Sequence, residues 1–382
     1  MLACQRHLFS IPENIHYLNC ASRAPLLKSA EAVGIAGVRL QNAPASQAGE
    51  DYFAASETLR ERAGALINAS PDRIAVIPAV SYGVALATQA FQPHPAQNIV
   101  MPAHEFPSNV YAWWSQGRED APGIRWVERP AGEGGATTTW SERVLEAIDG
   151  DTGVVHLSTT HWTDGHRFDV EAIGARARDV GALFIVDGTQ SIGAEPFDFE
   201  RVRPDLLVCA GYKWLMGPYQ VGFAAVGDRL IDARPFEHHW SNRSGSDNPG
   251  ATEYHEGFRK GARRFDVGEH ANPITVPMLS EGVRQVLEWG PENIRAYCGS
   301  LLESLLPALE DTPFQAVPPT ERVSHIVGIR LPDAEKLDPV IAALAERNIR
   351  VSRRGDALRV SPHVYNTGED LTVLCDVLKA IF

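Results

Sequence analysis

The sequence predicts an α/β protein in which a mostly parallel, mixed sheet is covered by helices and is followed by a smaller α+β region. Short apolar runs alternate with helix-like segments through residues 1–230. Two of these runs, ALFIVD and DLLVCAG, are almost uninterrupted by polar residues, which is typical of strands buried on both faces of a parallel sheet. After Pro273 the pattern becomes mainly helical, which indicates a second, smaller unit.

Strands are predicted where short aliphatic runs are bounded by turn residues. They cover Arg73–Ile77, Asn98–Pro102, Ile124–Glu128, Val154–Thr159, Leu183–Asp187, Leu206–Ala210 and Gly222–Val226. A helix over Val170–Val180 has its apolar residues on or near one face. This alternation predicts crossover connections, with ligand-binding loops at the carboxyl ends of the strands.

The rest of the chain divides into an irregular segment and a carboxyl-terminal region. Residues 236–264 are rich in Gly, Ser, Asn, His and Arg and show no apolar period, which predicts a long functional loop. Beyond it, helices are expected at Val276–Trp289, from Pro291 to Leu309, at Pro339–Arg347 and after Thr367. Strands are expected at 324–331 and around Val351 and Leu358.

Composition indicates a soluble globular protein and limits its partners. Of its 382 residues 44% are hydrophobic, and acidic residues outnumber basic ones by 13, so the overall field repels phosphate backbones and anionic lipid. We therefore expect neither a nucleic-acid nor a membrane partner. Five scattered cysteines form no CxxC pair, and no signal-length apolar run opens the sequence. These features predict a cytoplasmic protein without a disulfide framework or a metal site.

Two polar residues follow apolar strands of the predicted sheet. Asp187 ends one strand, and Lys213 comes three residues after the next strand. Because the carboxyl ends of parallel strands meet at one edge, the acid and the amine are delivered to the same rim. Taken singly, such an aspartate is as readily a helix cap or a metal ligand, and such a lysine is usually solvated. Their combination points to a functional site.

This combination resembles the class V aminotransferase family of fold type I pyridoxal phosphate enzymes, and the resemblance covers nearly the whole chain. It implies pyridoxal 5′-phosphate as the cofactor, with Lys213 forming the Schiff base and Asp187 pairing with the pyridinium nitrogen. A Schiff base needs a positioned amine, and the carboxylate keeps the ring protonated so that it withdraws electrons from Cα. Gln190 matches a polar partner of the ring hydroxyl.

Other segments resemble the family in the expected order. The sequence HEFPSN is similar to a kynureninase loop that lays a side chain over the cofactor ring, which implies that role for Phe106. Val80 and Ser81 precede an alanine-rich stretch, and the free amides at such a helix start can hold the phosphate. Tyr212 matches a kynureninase tyrosine that helps to bind the same phosphate.

The remaining site residues also follow from the resemblance. Trp240 and Asn272 match positions through which a partner subunit reaches the cofactor phosphate, which implies a homodimer with active sites at the interface. Arg359, within LRVSPHVYN, matches the arginine that binds the substrate α-carboxylate with its planar fork. Asp164 stands where many relatives have Asn or another neutral residue, so its contact with the ring hydroxyl departs from the family pattern.

The resemblance implies a large cofactor-binding domain over residues 20–272 and a small domain formed by 1–19 and 273–382. One fold hosts many reactions, so several activities stay open. The leading hypothesis is transamination, or Cβ-bond cleavage or elimination, on an amino acid or amine-bearing metabolite, with Lys213 as the base at Cα. Epimerisation of the isopenicillin N epimerase type would need a second base, such as Tyr82 or His104.

Two further activities are disfavoured by the sequence. Cysteine desulfurases and selenocysteine lyases use a loop cysteine shortly before the carboxylate-binding arginine, whereas here no cysteine lies between Cys298 and Cys375. A cofactor-binding regulator without catalysis is the least favoured hypothesis, because the sequence contains no DNA-binding module.

Overall fold

The computed structural model describes residues 2–47, 52–114, 123–130, 138–248, 250, 252–310 and 312–381. Its strands are β1 (His16–Tyr17), β2 (Ile74–Ile77), β3 (Asn98–Pro102), β4 (Gly123–Val127), β5 (Thr152–Ser158), β6 (Leu183–Asp187), β7 (Leu206–Ala210), β8 (Gly222–Val226), β9 (Gln315–Ala316), β10 (Val327–Arg330), β11 (Ile349–Arg350), β12 (Ser352–Arg354) and β13 (Ala357–Val360).

The described residues also contain α-helices. They are α1 (Lys28–Asn42), α2 (Ala54–Ile67), α3 (Val80–Ala90), α4 (Pro107–Val110), α5 (Trp140–Ala147), α6 (Val170–Asp179), α7 (Phe199–Val202), α8 (Thr275–Trp289), α9 (Pro291–Glu303), α10 (Leu306–Leu309), α11 (Leu337–Glu346) and α12 (Gly368–Ala380). None of the helices in these described ranges is long and apolar enough to cross a membrane.

A seven-stranded sheet forms the centre of the fold, in the order β2-β8-β7-β6-β5-β3-β4. Strands β3 to β7 run parallel, while β8 is antiparallel to both β7 and β2. Side chains alternate between the faces, so that Val186 of β6 joins one apolar cluster and Ile185 joins the other. This mixed sheet between two apolar layers confirms the predicted fold class.

A smaller antiparallel sheet, in the order β12-β13-β10-β9, lies in the carboxyl-terminal region. Its buried face joins residues of α9 to α12 in a third apolar cluster, which includes Leu302, Leu344 and Leu374. At the other end of the chain, β1 pairs in parallel with β11. The amino-terminal segment therefore contacts the carboxyl-terminal region, and the division at residues 19 and 272 stays a prediction.

Most predicted elements lie where the sequence placed them, and the differences have local causes. The strands Asn98–Pro102, Leu183–Asp187, Leu206–Ala210 and Gly222–Val226 have the predicted bounds. The helix expected from Pro291 to Leu309 instead breaks after Glu303, because Pro307 has no N–H to donate to the Glu303 carbonyl. The strand expected at 324–331 is shorter, since the Ser324 N–H donates to the Glu195 carboxylate instead of to a neighbouring strand.

Candidate active site

The carboxyl ends of β6 and β7 open onto a cavity of about 280 Å³, which we call the Lys213 cavity. Strand β6 ends at Asp187, and Lys213 follows β7. Among the residues that line this cavity are Ala79, Val80, Ser81, Phe106, Ser158, Trp162, Asp187, Thr189, Gln190, Tyr212, Lys213 and Tyr219. The structure thus brings together seven residues proposed from the sequence: Val80, Ser81, Phe106, Asp187, Gln190, Tyr212 and Lys213.

The Lys213 amine is buried and lies near two aromatic rings. Its side chain is 6% exposed, and Nζ lies 5.5 Å from the centre of the Phe106 ring and 5.6 Å from that of Tyr212. Burial lowers the pKa of Lys213 to about 8, and the charge of Arg359 acts in the same direction, whereas Asp187 opposes it. A lysine of this kind has a substantial unprotonated fraction at mildly alkaline pH, as a nucleophilic amine requires.

Asp187 is held in place by two donors. Its Oδ2 accepts a hydrogen bond of 3.0 Å from the Asn109 side chain, and its Oδ1 accepts one of 2.9 Å from the Thr189 N–H. The carboxylate is buried and still lines the cavity. Since each carboxylate oxygen can accept more than one hydrogen bond, Asp187 retains capacity for a donor inside the cavity.

Glu105 fixes the loop that carries Phe106. Its buried carboxylate accepts hydrogen bonds from the Ser158 N–H at 2.8 Å, the Ser158 hydroxyl at 2.7 Å and the Phe106 N–H at 2.6 Å. Burial raises the pKa of Glu105. Glu105 and Asn109 were not predicted as site residues, although Glu105 directly precedes Phe106 and Asn109 lies in α4, three residues after it. Their polar side chains within the HEFPSN segment after β3 were the signal that could have identified them.

The amino terminus of α3 lines another wall of the cavity. Ala79, Val80 and Ser81 lie at its first turn, where the N–H groups of a helix have no carbonyl partner within that helix. Tyr212 lies nearby, and its ring stacks on that of Tyr219 with centroids 4.2 Å apart. Free amides, a hydroxyl and the positive end of the helix dipole together favour a phosphate at this wall.

Gln190 lines the cavity, yet its amide also bonds to the protein. Its Nε2 donates to the Ala21 carbonyl at 3.1 Å, and its Oε1 accepts from Trp214 Nε1 at 3.1 Å. An amide nitrogen carries two N–H donors, so one of them is free of the Ala21 bond. Gln190 therefore anchors the amino-terminal segment to the site, and the ring-hydroxyl contact suggested by the resemblance stays a prediction.

Arg359 lines a second, adjoining space of about 270 Å³, which we call the arginine cavity. It is lined by Ala21, Ser22, Phe106, Trp162, Gln190, Tyr212, Lys213, Arg354 and Arg359. Arg359 is 1% exposed and donates to the Trp162 carbonyl at 2.6 Å, while its Nε has no hydrogen-bond partner in the described part of the chain. Burial lowers the pKa of Arg359 to about 9. A buried guanidinium with unused donors is suited to an anion.

Asp164 lies outside both cavities, so the cofactor contact implied by the resemblance stays a prediction. Its buried carboxylate pairs with Arg129 and lies 2.7 Å from Arg330 Nη2. These residues line a neighbouring space of about 580 Å³ together with His161 and Trp162. A buried carboxylate needs charged partners, and in this chain the two arginines supply them.

Trp240 and Asn272 also lie apart from both cavities within one chain. Trp240 packs against Tyr52 and Phe53, with ring centroids 5.5 and 6.1 Å apart. The Asn272 side chain is exposed, and its Oδ1 accepts from the N–H groups of Ile274 and Thr275 at 2.9 Å each. Their contact with the cofactor of a partner subunit therefore stays a prediction.

The two residues considered as a second base do not line the Lys213 cavity or the arginine cavity. The Tyr82 hydroxyl donates to the Glu237 carboxylate, and burial raises the pKa of Tyr82. His104 has a left-handed backbone with φ of 57° and lines the neighbouring spaces instead. Neither side chain is placed to exchange a proton opposite Lys213.

Comparison with known proteins identifies the family. Residues 39–374 match the family model described as aminotransferase class-V, and the chain belongs to that family. The match confirms the family that the Asp187 and Lys213 segments predicted, and with it an enzyme of the type that uses pyridoxal 5′-phosphate.

Individual relatives are similar at low identity. The chain is 24% identical to an uncharacterised aminotransferase of Bacillus subtilis (strain 168), YcbU, over 88% of this chain and 90% of that protein. It is 29% identical to the kynureninase of Pseudomonas fluorescens over 61% of this chain and 56% of the relative. Its fold matches that of a C-DES mutant with glycine covalently linked to the PLP cofactor, with a TM-score of 0.87, 21% identity and 98% coverage of both chains.

Proposed function

We propose that this chain acts on an amino acid or amine-bearing metabolite by transamination or by Cβ-bond cleavage or elimination, with pyridoxal 5′-phosphate held on Lys213. The observation that carries the proposal is a buried amine of lowered pKa that shares one cavity with Asp187 and Phe106 and adjoins the unpaired guanidinium of Arg359. These groups have the chemistry that a cofactor ring and a substrate carboxylate require.

The residues of the Lys213 cavity fit this cofactor. Lys213 offers an amine for the aldehyde, Asp187 a carboxylate for the ring nitrogen, and Phe106 an aromatic face for the ring. The first amides of α3 and the Ser81 hydroxyl offer donors for the phosphate. When bound, the cofactor would supply an electron sink for the charge that develops at the substrate Cα.

Lys213 also serves as the proton carrier in this proposal. Transamination and Cβ elimination begin with removal of the proton from Cα, and the Lys213 amine would be the base that accepts it. Burial favours the neutral form of this amine, because it lowers the pKa of Lys213 to about 8. The Phe106 and Trp162 rings line the same region and contact each other edge to face, with centroids 5.5 Å apart.

Arg359 orients the substrate. Its free Nε and the remaining N–H groups can bind an α-carboxylate in a bidentate manner. A carboxylate fixed on one side leaves one Cα bond to face the Lys213 amine, and this selects the proton that is removed.

The structure offers less support for the alternative activities. An epimerase needs a base on each face of the substrate, and Tyr82 and His104 lie outside both cavities. A desulfurase needs a reactive thiolate, and no cysteine of the described residues lines either cavity. Cys20 is close enough for its pKa to be affected by Lys213, but burial raises that pKa to about 12, which keeps the thiol protonated.

The proposal is tested by cofactor spectra and product analysis. Wild-type protein should acquire visible absorbance with pyridoxal 5′-phosphate, Lys213→Ala should not, and the exposed Lys260→Ala should match the wild type. Ammonia released from an amino acid without an acceptor would identify elimination, whereas dependence on an α-keto acid would identify transamination. Normal absorbance in Lys213→Ala would contradict the proposal.

A further inference from the structure

A second arginine lines the arginine cavity. Strands β12 and β13 are antiparallel neighbours, in which Ser352 pairs with Arg359 and Arg354 pairs with Ala357. Since alternate residues of a strand share a face, Arg354 and Arg359 lie on the same side of this hairpin. Both line the space that contains Lys213. The proposed function assigns no role to Arg354.

Arg354 differs from most arginines of this chain in its partners. Among the residues that the structure describes, no carboxylate forms an ion pair with it; Nη1 donates to the Arg353 carbonyl at 2.8 Å and Nη2 to the Ser22 hydroxyl at 3.3 Å. The guanidinium carbon lies 5.9 Å from the centre of the Trp162 ring. Burial lowers the pKa of Arg354, and its charge lowers the pKa of Arg359. Two neighbouring cations without an acid are stabilised by a bound anion.

The charge of the site leaves room for two anionic groups on a substrate. Among the described residues, the side chains that line the Lys213 cavity and the arginine cavity include the cations Lys213, Arg354 and Arg359 but one carboxylate, that of Asp187. An α-carboxylate bound by Arg359 leaves Arg354 unpaired. A second carboxylate on the same substrate would pair with Arg354.

Arg353 provides a contrast within the same hairpin. It pairs across the strands with Leu358, so that it lies on the opposite face from Arg354. There its Nη1 is 2.8 Å from Asp338 Oδ2, and its Nε donates to the Gly355 carbonyl at 3.0 Å. This arginine already has an acidic partner, so it is a matched control for Arg354.

We propose that Arg354 is a specificity residue, which selects amino acids whose side chain carries a second carboxylate. The inference rests on the proposed function, because it assumes that Arg359 binds the α-carboxylate. The planar forks of the two arginines, on one face of the β12–β13 hairpin, can each bind one carboxylate. A monocarboxylic amino acid reaches only one of them and leaves the half-buried charge of Arg354 unpaired.

The test compares the binding of a dicarboxylate with that of a monocarboxylate of the same chain length. Both ligands lack an amino group, so that only carboxylate binding is measured. Calorimetric titration of the cofactor-loaded protein should give a lower Kd for glutarate than for pentanoate. Arg354→Gln should raise the Kd of glutarate about tenfold and leave that of pentanoate unchanged. Arg353→Gln should change neither value.

Two results would overturn this inference. An equal rise in both Kd values would mean that Arg354 helps to bind the carboxylate common to both ligands, and no change in either would mean that it binds no ligand group. Should Arg354→Gln unfold, Arg354→Lys serves the same comparison, because it keeps the charge and loses the fork. Failure of the proposed function would be recognised by a different observation. In that case Lys213 would carry no pyridoxyl label after borohydride reduction.

Discussion

Two buried cations, Lys213 and Arg359, define the chemistry of the site. Burial lowers the pKa of each, and each lacks a carboxylate within ion-pair distance among the described residues. Such groups are costly to bury alone, so the fold keeps them near a space that a ligand can fill. The consequence is a cavity that binds anions and presents a reactive amine.

The first residue-level prediction concerns the fork of Arg359. Arg359→Lys keeps the positive charge but loses bidentate binding, so kcat/KM for the amino acid substrate should fall by the equivalent of about 1.5 to 3 kcal/mol. Cofactor absorbance should be unchanged, because Arg359 lines the arginine cavity rather than the α3 wall. Steady-state kinetics with a spectrum of the same sample measures both; an unchanged kcat/KM would place the carboxylate elsewhere.

The second residue-level prediction concerns the pKa of Lys213. Only the neutral amine attacks an aldehyde, and burial gives Lys213 a pKa of about 8. The rate at which cofactor-free protein captures pyridoxal 5′-phosphate should therefore rise about tenfold per pH unit below that value and level off above it. Stopped-flow absorbance across pH 6 to 10 covers this range, which is about two units on either side. A rate that keeps rising towards the ordinary lysine pKa would contradict a lowered value.

At the level of elements, the short β12–β13 hairpin leaves no room for a long loop that could carry a catalytic cysteine. Only Gly355 and Asp356 connect the strands, and Gly355 has a φ of 57°, which suits glycine in a tight turn. The turn carries no cysteine. In its place the hairpin presents Arg354 to the cavity, so the same element that excludes a loop thiol supplies a cation.

This hairpin predicts poor desulfurase activity. Cysteine with a reducing agent should release little sulfide, and any slow release should persist in Cys375→Ala, because Cys375 is buried in α12. Sulfide assays of the wild type, Cys375→Ala and Cys20→Ala test this prediction. Rapid release that a single Cys→Ala change abolishes would show that a catalytic thiol was overlooked.

Helices and strands with a clear pattern of apolar residues were predictable from the sequence, whereas contacts between segments distant in sequence were not. Buried strands such as Leu183–Asp187 follow from apolar runs. The placement of Lys213 and Asp187 at one sheet edge follows from the strand ends, whereas their roles follow from the family resemblance. The partner of Asp164 was not predictable, because Arg129 and Arg330 are distant in sequence and meet it only in the folded chain. Arg354 was missed for the same reason, since nothing local distinguishes it from Arg353.

For the whole molecule, the proposed homodimer would explain two residues that one chain leaves outside the site. Trp240 and Asn272 match family positions that reach a partner's cofactor, and in this structure they lie apart from both cavities. Two-fold symmetry would let each subunit complete the site of the other. The dimer and its shared sites are proposals that mixing of inactive variants can test.

Complementation gives a clear expectation. Asn272→Asp keeps an oxygen for the N–H groups of Ile274 and Thr275 but would repel a phosphate; Trp240→Ala is an independent choice. Mixing either variant with Lys213→Ala under subunit exchange should restore activity, because one site of each hybrid has both intact contributions. Hybrids that stay inactive despite proven exchange, or an active monomer, would show that these residues act within their own chain.

The central claim is that Lys213 carries the cofactor, and mapping of the reduced protein tests it most directly. The sequence has only five lysines, Lys28, Lys213, Lys260, Lys336 and Lys379, so peptide mass spectrometry after borohydride reduction can assign the pyridoxyl group without ambiguity. We predict the label on Lys213 alone, and no label in Lys213→Ala. Label on any of the other four lysines, with Lys213 unmodified, would contradict the account.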